Sequence, residues 1–472
     1  MKLTKECFAL ALLLLVAGCG QKISAPATST AADSVAQPAP PITIDPMVLA
    51  LMPQEGDTHT DAEIRRYQDL VRQGSNGVNR VISVEKLGWL FVTKARESFD
   101  PGYYKQAAAC AQILDAGSPG CSQSLLLQGY VFENMHRFKE AEPLARELVN
   151  NRGLPFDYGL LGDSLMEQGR LAEAVTNYQS MVNLRPDLQS YSRIAYIRWL
   201  TGDLDGAIEM MSMAVNSSSP RDPDSAAWVI TRLGILQFQA GKIEEATQSC
   251  DAALQVRPNY PPALLLRGRM LMADNQPEAA VENLQIAAKA NPLPEYQWAL
   301  SESLRAADRV PDAEAIESHL RSTGTVNDPR TLSLFLSTQG QDTGTAVRLA
   351  EAELQQRGDV FTQDAFAWAL AAAGQAGPAQ SHMQLALVAG TEDSRLFFHA
   401  AVIAHLAGDE TASQKWFMRA SAALQTLLPS ERKQLMKLAD DFPDANDTTP
   451  ATATNDDAPA NDLPAPEMAA RK

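Results

Sequence analysis

Leu160-Leu161-Gly162…Leu165…Gly169…Ala174…Tyr178…Pro186 reads as one apolar helix, a turn, a second helix and a stop. The apolar residues recur at three and four positions, the spacing of a single helical face. Gly169 stands between the two runs, where a chain reversing direction favours a left-handed residue. Pro186 closes the second run because proline lacks the backbone donor that a helix interior needs. The pattern returns as Leu233-Gly234…Gly241…Ala246…Cys250…Ala253…Pro258, and again as Leu266-Arg267-Gly268…Leu271…Ala280…Leu284…Ala287…Pro292. Aligning the small residues places unit starts near 88, 122, 155, 188, 227, 261, 294, 327, 360 and 394, a period of 33–34 residues broken once by a step of 39. The long step contains Ser217-Ser218-Ser219-Pro220-Arg221-Asp222-Pro223, a loop insertion. A fixed period of this size marks stacked units, none of which can bury its apolar face alone.

These residues resemble the tetratricopeptide repeat, a helix–turn–helix of about 34 residues. The family wants a small residue at position 8, met by Ala95, Gly129, Gly162, Ala195, Gly234, Gly268, Ala367 and Ala401. It wants another at position 20, met by Ala107, Ala141, Ala174, Ala207, Ala246, Ala280, Ala313, Ala346 and Ala379. Gly102, Gly169, Gly202, Gly241, Gly374 and Gly408 fall at the inter-helix turn, position 15. The resemblance covers residues 88–427 and implies an all-α, right-handed superhelical solenoid of about ten antiparallel helix pairs. The units near 294 and 327 depart from the pattern, with Ser301 and Leu334 at position 8. They read as distorted repeats or as a break in the superhelix. Thr60-Asp61-Ala62-Glu63 resembles a capping box that opens a helix through about Arg72, within an N-terminal helical cap at 59–87. Residues 428–442 supply the capping helix that such an array needs at its other end.

Outside the array the composition changes. Residues 20–58 are rich in Ala, Pro, Ser and Thr without a period and are expected to form a disordered linker. Residues 443–472 read as a disordered acidic tail. At the start, Lys2 and Lys5 precede the apolar run Phe8 to Ala17, too short to span a bilayer and suited to a secretory signal. Val16-Ala17-Gly18-Cys19 resembles a bacterial lipobox. The resemblance implies a signal peptide at 1–19, lipidation at Cys19 and membrane attachment through lipid alone. Gly20, where an aspartate retains some lipoproteins in the inner membrane, points to the outer membrane and a site facing the periplasm.

The chain of 472 residues has 45% apolar residues and a net charge of −17. That charge argues against a nucleic-acid binder, which needs a basic face to displace counterions. About half of it lies in the tails: residues 1–19 carry +1, 20–58 carry −3 and 440–472 carry −6, leaving −9 on 59–439.

Candidates for chemistry are few. Gly162-Asp163-Ser164-Leu165 matches the nucleophile block of an esterase family, but these residues occupy the middle of the best repeat helix, where an exposed nucleophile has no place. His399 and His405 share a helix at a spacing that takes them off a common face, and no third metal ligand accompanies them. No cofactor, metal or small-molecule substrate is indicated. Cys110 and Cys121 flank an Asp-Ala-Gly-Ser-Pro-Gly turn and either bridge in an oxidising periplasm or pack as two thiols; Cys250 is expected as a buried thiol.

The resemblance also implies a site. In the family, positions 2, 5, 9 and 12 of the first helix face a concave groove. Here they give Tyr196, Trp199, Trp228, Phe238, Trp298, Trp368 and Phe398. Arg269 and Arg305 share groove positions, with Arg193 and Arg232 one residue off. Several bare aromatics together would exceed the apolar surface that a monomer usually shows. The expectation is therefore a non-enzymatic scaffold that binds a protein or peptide in the groove and serves assembly of an envelope, pilus or export complex. A peptide-binding periplasmic chaperone is the alternative, and a hydrolase using Ser164 the more distant one.

Overall fold

Aspartate and proline open the helices. Asp187, Asp222, Asp328, Asp359 and Asp393 accept backbone N–H bonds at five helix starts, which satisfies donors that the helix itself leaves free. Pro155, Pro223, Pro261, Pro277, Pro294 and Pro329 occupy first helical positions, where the missing N–H costs nothing.

The computed structural model describes residues 44–74 and 78–442, and every regular element among them is helical. Helices α1 (Pro46–Ala50) and α2 (His59–Arg72) come first. Ten pairs follow: α3 (Val78–Ser98) with α4 (Gly102–Gly117), α5 (Ser122–Asn134) with α6 (Phe138–Asn151), α7 (Pro155–Glu167) with α8 (Leu171–Leu184), α9 (Leu188–Leu200) with α10 (Leu204–Asn216), and α11 (Pro223–Gln239) with α12 (Ile243–Val256). The others are α13 (Pro261–Ala273) with α14 (Pro277–Ala290), α15 (Pro294–Ala306) with α16 (Val310–Asn327), α17 (Pro329–Gln339) with α18 (Thr343–Gln356), α19 (Val360–Ala372) with α20 (Ala376–Leu387), and α21 (Ser394–Leu406) with α22 (Glu410–Ala422). A 3-10 turn (Leu424–Thr426) leads into α23 (Pro429–Ala439). From α2 to α22 each helix packs on its neighbours in sequence, while α1 packs on α4 and α23 on α21 and α15, as in a tetratricopeptide-like solenoid.

Small residues set the packing. All nine alanines expected at position 20 are fully buried, and in the last pair Ser413 takes that place and donates to the Ala401 carbonyl at 2.9 Å. A Cβ on Gly162 would stand 2.4 Å from the Tyr178 ring, and one on Gly268 would stand 2.4 Å from Leu284. The second helix therefore seats a large side chain where the first has none.

The array also meets itself. The α7–α8 turn touches the α18–α19 loop: Gly358 N–H donates to the Glu167 carbonyl at 3.1 Å. The α9–α10 turn touches the α20–α21 loop, where Thr391 Oγ1 donates to the Leu200 carbonyl at 2.7 Å. Gln425 Nε2 reaches the Phe238 carbonyl at 3.0 Å, and Gln434 Nε2 reaches the Thr338 carbonyl at 2.7 Å. Nearer the start, Arg257 donates to the Glu97 carbonyl at 2.7 Å. These bonds join residues 96 to 191 positions apart.

Several expectations change. Residues 45–58, assigned to the linker at 20–58, are folded: α1 packs on α4, and buried Gln54 donates to Asp61 at 2.8 Å and to Tyr103 at 3.1 Å. Asp61 in turn pairs with Lys94 at 2.6 Å. The rest of the linker, the tail at 443–472 and Cys19 lie outside the described residues. Gly102 is not the turn residue of its pair: it begins α4, and Phe99 takes the left-handed conformation at φ 56. The units near 294 and 327 are not a break in the array, and the second is a distorted repeat. They form helix pairs, but α17 starts at Pro329, so Ser333, not Leu334, sits against the second helix and donates to the Ala346 carbonyl at 2.8 Å. Cys110 and Cys121 are free thiols rather than a disulfide. Cys110 points into the core beneath Gly88, while Cys121 Sγ turns to the Leu114 carbonyl. Cys250 is a buried free thiol, 3.2 Å from the Ala263 carbonyl.

Candidate functional site

Contacts across the array divide the expected groove into partly open cavities. A cavity of about 810 Å³ lies among the first helices of the early pairs. Position 9 of four successive units, occupied by Arg96, Tyr130, Asp163 and Tyr196, contributes to its wall. A second cavity of about 430 Å³ continues toward the C-terminal pairs. Trp228, Arg232 and Pro262 line both and mark the junction.

The expected groove aromatics divide into four groups. Trp228 is 38% exposed and stands open at the junction. Tyr196 is half-buried beneath the Arg232 guanidinium, 5.5 Å from the ring centroid. Trp199, Phe238 and Trp298 are buried and show only an edge to the second cavity. Trp199 stacks on Phe361 at 5.3 Å, and Trp298 meets Phe335 edge-on at 5.8 Å. Trp368 and Phe398 are core residues that line neither cavity; Trp368 stacks on His399 at 4.3 Å and donates to Thr338 Oγ1 at 3.0 Å. The bare aromatic groove is thus corrected: the rings that sequence places on the inner face are mostly consumed by packing across it.

The arginines are placed similarly. Arg193 grips Asp163 through both carboxylate oxygens, with Nη2–Oδ2 at 2.6 Å. Burial disfavours its charge, but Asp163 outweighs burial and raises the Arg193 pKa above the usual guanidinium value. Arg269 faces Glu295 at 3.7 Å, and burial together with Arg395 lowers its pKa. Arg305 lies outside the cavities and pairs with Glu317 at 2.7 Å. Arg232 lines both cavities, and among the described residues no carboxylate comes within ion-pair distance of it.

Ser164 is fully buried and donates to Glu133 Oε1 at 3.0 Å. Burial, then Asp163, pushes the Glu133 carboxyl well above the usual range. This is a structural hydrogen bond inside a helix stack, not a presented nucleophile. His399 is fully buried against Asp364 at 2.8 Å, and His405 faces Glu410 on the surface. Among the described residues no three His, Cys, Asp or Glu side chains gather as a metal site.

Sequence reasoning missed Arg96, Arg257, Arg330 and Arg395, all in the cavity walls. Reading charged as well as aromatic residues at positions 9 and 2 finds Arg96 and Arg395. Arg330 appears only after the unit is shifted to start at Pro329.

Tetratricopeptide-repeat family models match residues 160–226 and 237–307, so these two stretches read as tetratricopeptide repeats. Solenoids of this kind use concave surfaces for binding. No curated protein matches the chain in sequence. Among solved structures it is similar to the APC/C hetero-tetramer Cut9-Hcn1, at 14% identity and TM-score 0.44, over 80% of this chain and 62% of that one. It is also similar to YrrB, a TPR protein with an unusual peptide-binding site, at 15% identity and TM-score 0.27, over 43% of this chain and 97% of that one. MamA protein aligns at 16% identity and TM-score 0.26, over 37% of this chain and 91% of that one. The chain thus spans less than two thirds of the Cut9-Hcn1 chain.

Proposed function

We propose that this protein is a non-enzymatic adaptor, held by lipid on Cys19 at the outer membrane and facing the periplasm. It receives a segment of a partner protein in its interior cavity and supports assembly of an envelope, pilus or export complex. One observation carries the binding part of this reading. At the junction of the two cavities an exposed tryptophan, Trp228, lies one helical turn from Arg232, a cavity-lining arginine with no carboxylate partner among the described residues. An uncovered ring beside an uncompensated charge is an anchor of the kind that dominates protein interfaces. The anchoring part rests on Val16-Ala17-Gly18-Cys19. The lipobox resemblance implies a diacylglyceryl thioether and an N-acyl chain on Cys19, and three acyl chains, at about 0.8 kcal/mol per buried CH₂, would hold the protein at the bilayer permanently.

Palmitate labelling and membrane fractionation test the anchor. Label and membrane association should both disappear in Cys19→Ser. In-cell crosslinking followed by affinity purification tests the adaptor. One stoichiometric partner lost in Trp228→Ala supports it. Many substoichiometric clients would instead indicate a chaperone, and unchanged capture by Trp228→Ala would remove the cavity from the account.

A further inference from the structure

The cavity has a resident candidate within the chain itself. This inference rests on the reading above that the cavity takes a protein segment, and it names that segment when no partner is present.

Two cavity-lining arginines, Arg96 and Arg232, have no carboxylate within ion-pair distance among the described residues. Arg96 donates to Ser225 Oγ at 3.3 Å, and Arg232 lies over the Tyr196 ring at 5.5 Å. Trp228 stands uncovered next to Arg232. Burial disfavours the Arg96 charge, but Tyr130, Asp222 and Asp224 nearby outweigh it and raise its pKa, so Arg232 is the positive charge left open in the cavity of a chain of net charge −17. The described structure ends at Phe442, three residues beyond α23. Thr426 and Leu428, which lead into that helix, line the second cavity. Helix α23 has 11 residues, so its far end lies about 16 Å away. The 30 residues of 443–472 can cover up to about 100 Å when extended. They carry six acidic and two basic residues, including Asp456-Asp457 and Asp462-Leu463.

We infer that residues 443–472 return along α23 and occupy the cavity. Their aspartates pair with Arg232 and Arg96, and their apolar residues cover Trp228. The segment is an intramolecular competitor. A tethered ligand acts at an effective concentration on the order of 1 mM, so even an intrinsic Kd of about 100 μM would lower the apparent affinity for a partner about tenfold.

The test uses the full chain, a full-length variant with Asp456→Asn, Asp457→Asn and Asp462→Asn, and a synthetic peptide of residues 443–472. Calorimetry should show the variant binding the peptide at least tenfold more tightly than the unmodified chain does. Adding Arg232→Gln to the variant should weaken that binding about tenfold, and raising the salt concentration should weaken it further. Equal binding by both chains, no binding by the variant, or indifference to Arg232→Gln would overturn the inference. Crosslinking in cells separates it from the adaptor reading. If the variant captures a partner and yet ignores the peptide, the tail is not the occupant and the adaptor stands. If it captures neither, the cavity is not a site for protein segments, and both fall together.

Discussion

The indole N–H of Trp199 donates to the Glu392 carbonyl at 3.0 Å, joining residues 193 positions apart. The same ring stacks on Phe361, so one side chain from an early repeat is held by two residues of a single late repeat. A residue that the family resemblance places in the groove is thus used to close the array on itself.

Trp199→Ala is therefore expected to cost about 3–5 kcal/mol, as for other large core truncations. Trp199→Phe keeps the stack and loses the bond, costing about 1–3 kcal/mol for the unpaired carbonyl. Urea denaturation followed by circular dichroism checks both. Equal stability of Trp199→Ala and the unmodified chain would mean that the two ends of the array are not joined here.

Glycine substitutions separate backbone strain from closure. Gly202 has φ +86, and a Cβ there would lie 2.8 Å from the Gly390 carbonyl oxygen; Gly374 has φ +76 with nothing within 4 Å. Gly374→Ala should cost only the left-handed penalty, about 1–2 kcal/mol. Gly202→Ala should cost that and a further 1–3 kcal/mol, roughly, for the steric clash. It should also raise the radius of gyration measured by small-angle X-ray scattering. Identical scattering and stability for the two variants would contradict the seam.

The seam has a pH dependence. Burial, then the neighbouring Asp359, raises the Glu167 carboxyl to about 7 from its ordinary 4.5, against the opposing pull of Arg357 at 3.4 Å. The folded chain then binds more protons than the unfolded chain between those values, so this residue's contribution to stability falls as pH rises from about 4.5 to 7. Glu167→Gln should flatten that part of the profile and gain relative to the unmodified chain at pH 8. Melting temperatures at intervals of half a pH unit check it; a Glu167 contribution that rises with pH would reverse the assignment.

Two tryptophans on the inner side should behave in opposite ways. Trp228 is 38% exposed and Trp298 2%. Trp228→Ala should change stability by less than about 0.5 kcal/mol and abolish partner capture. Trp298→Ala should cost about 3–5 kcal/mol, since it also strips Glu302 of an N–H bond at 3.0 Å. Loss of capture only with loss of fold would deny Trp228 a binding role.

At the N-terminal end, Asp61 is fully buried and paired with Lys94. Burial alone would raise its pKa, but the bonds from Lys94, Thr58 and Gln54 lower it below the usual carboxylate value. Its stabilisation is present above the ordinary pKa of 3.8 and is lost as pH falls. Asp61→Ala should cost about 3–5 kcal/mol at neutral pH by leaving the lysine unpaired. Proteolysis between α2 and α3 should report it first.

What the sequence determined by itself was local and periodic. Ala174, Ala207 and Ala246 recur once per repeat because each hairpin needs a small residue where its two helices cross, and their burial follows from the helical face that Ala174 shares with Tyr178 and Ala246 with Cys250. A residue that serves its own hairpin carries its reason within about three dozen positions, so its role can be read along the chain. Gly358, Gly390 and Glu392 carry no such mark. Their partners, Glu167, Gly202 and Trp199, lie about five repeats away, and whether they meet depends on small rotations accumulated from every hairpin between. Periodicity could place Trp199, Trp298 and Trp368 on an inner face. Only the closed tertiary structure decided that these rings are covered by the chain itself, and that Trp228 and Arg232 are the pair left open.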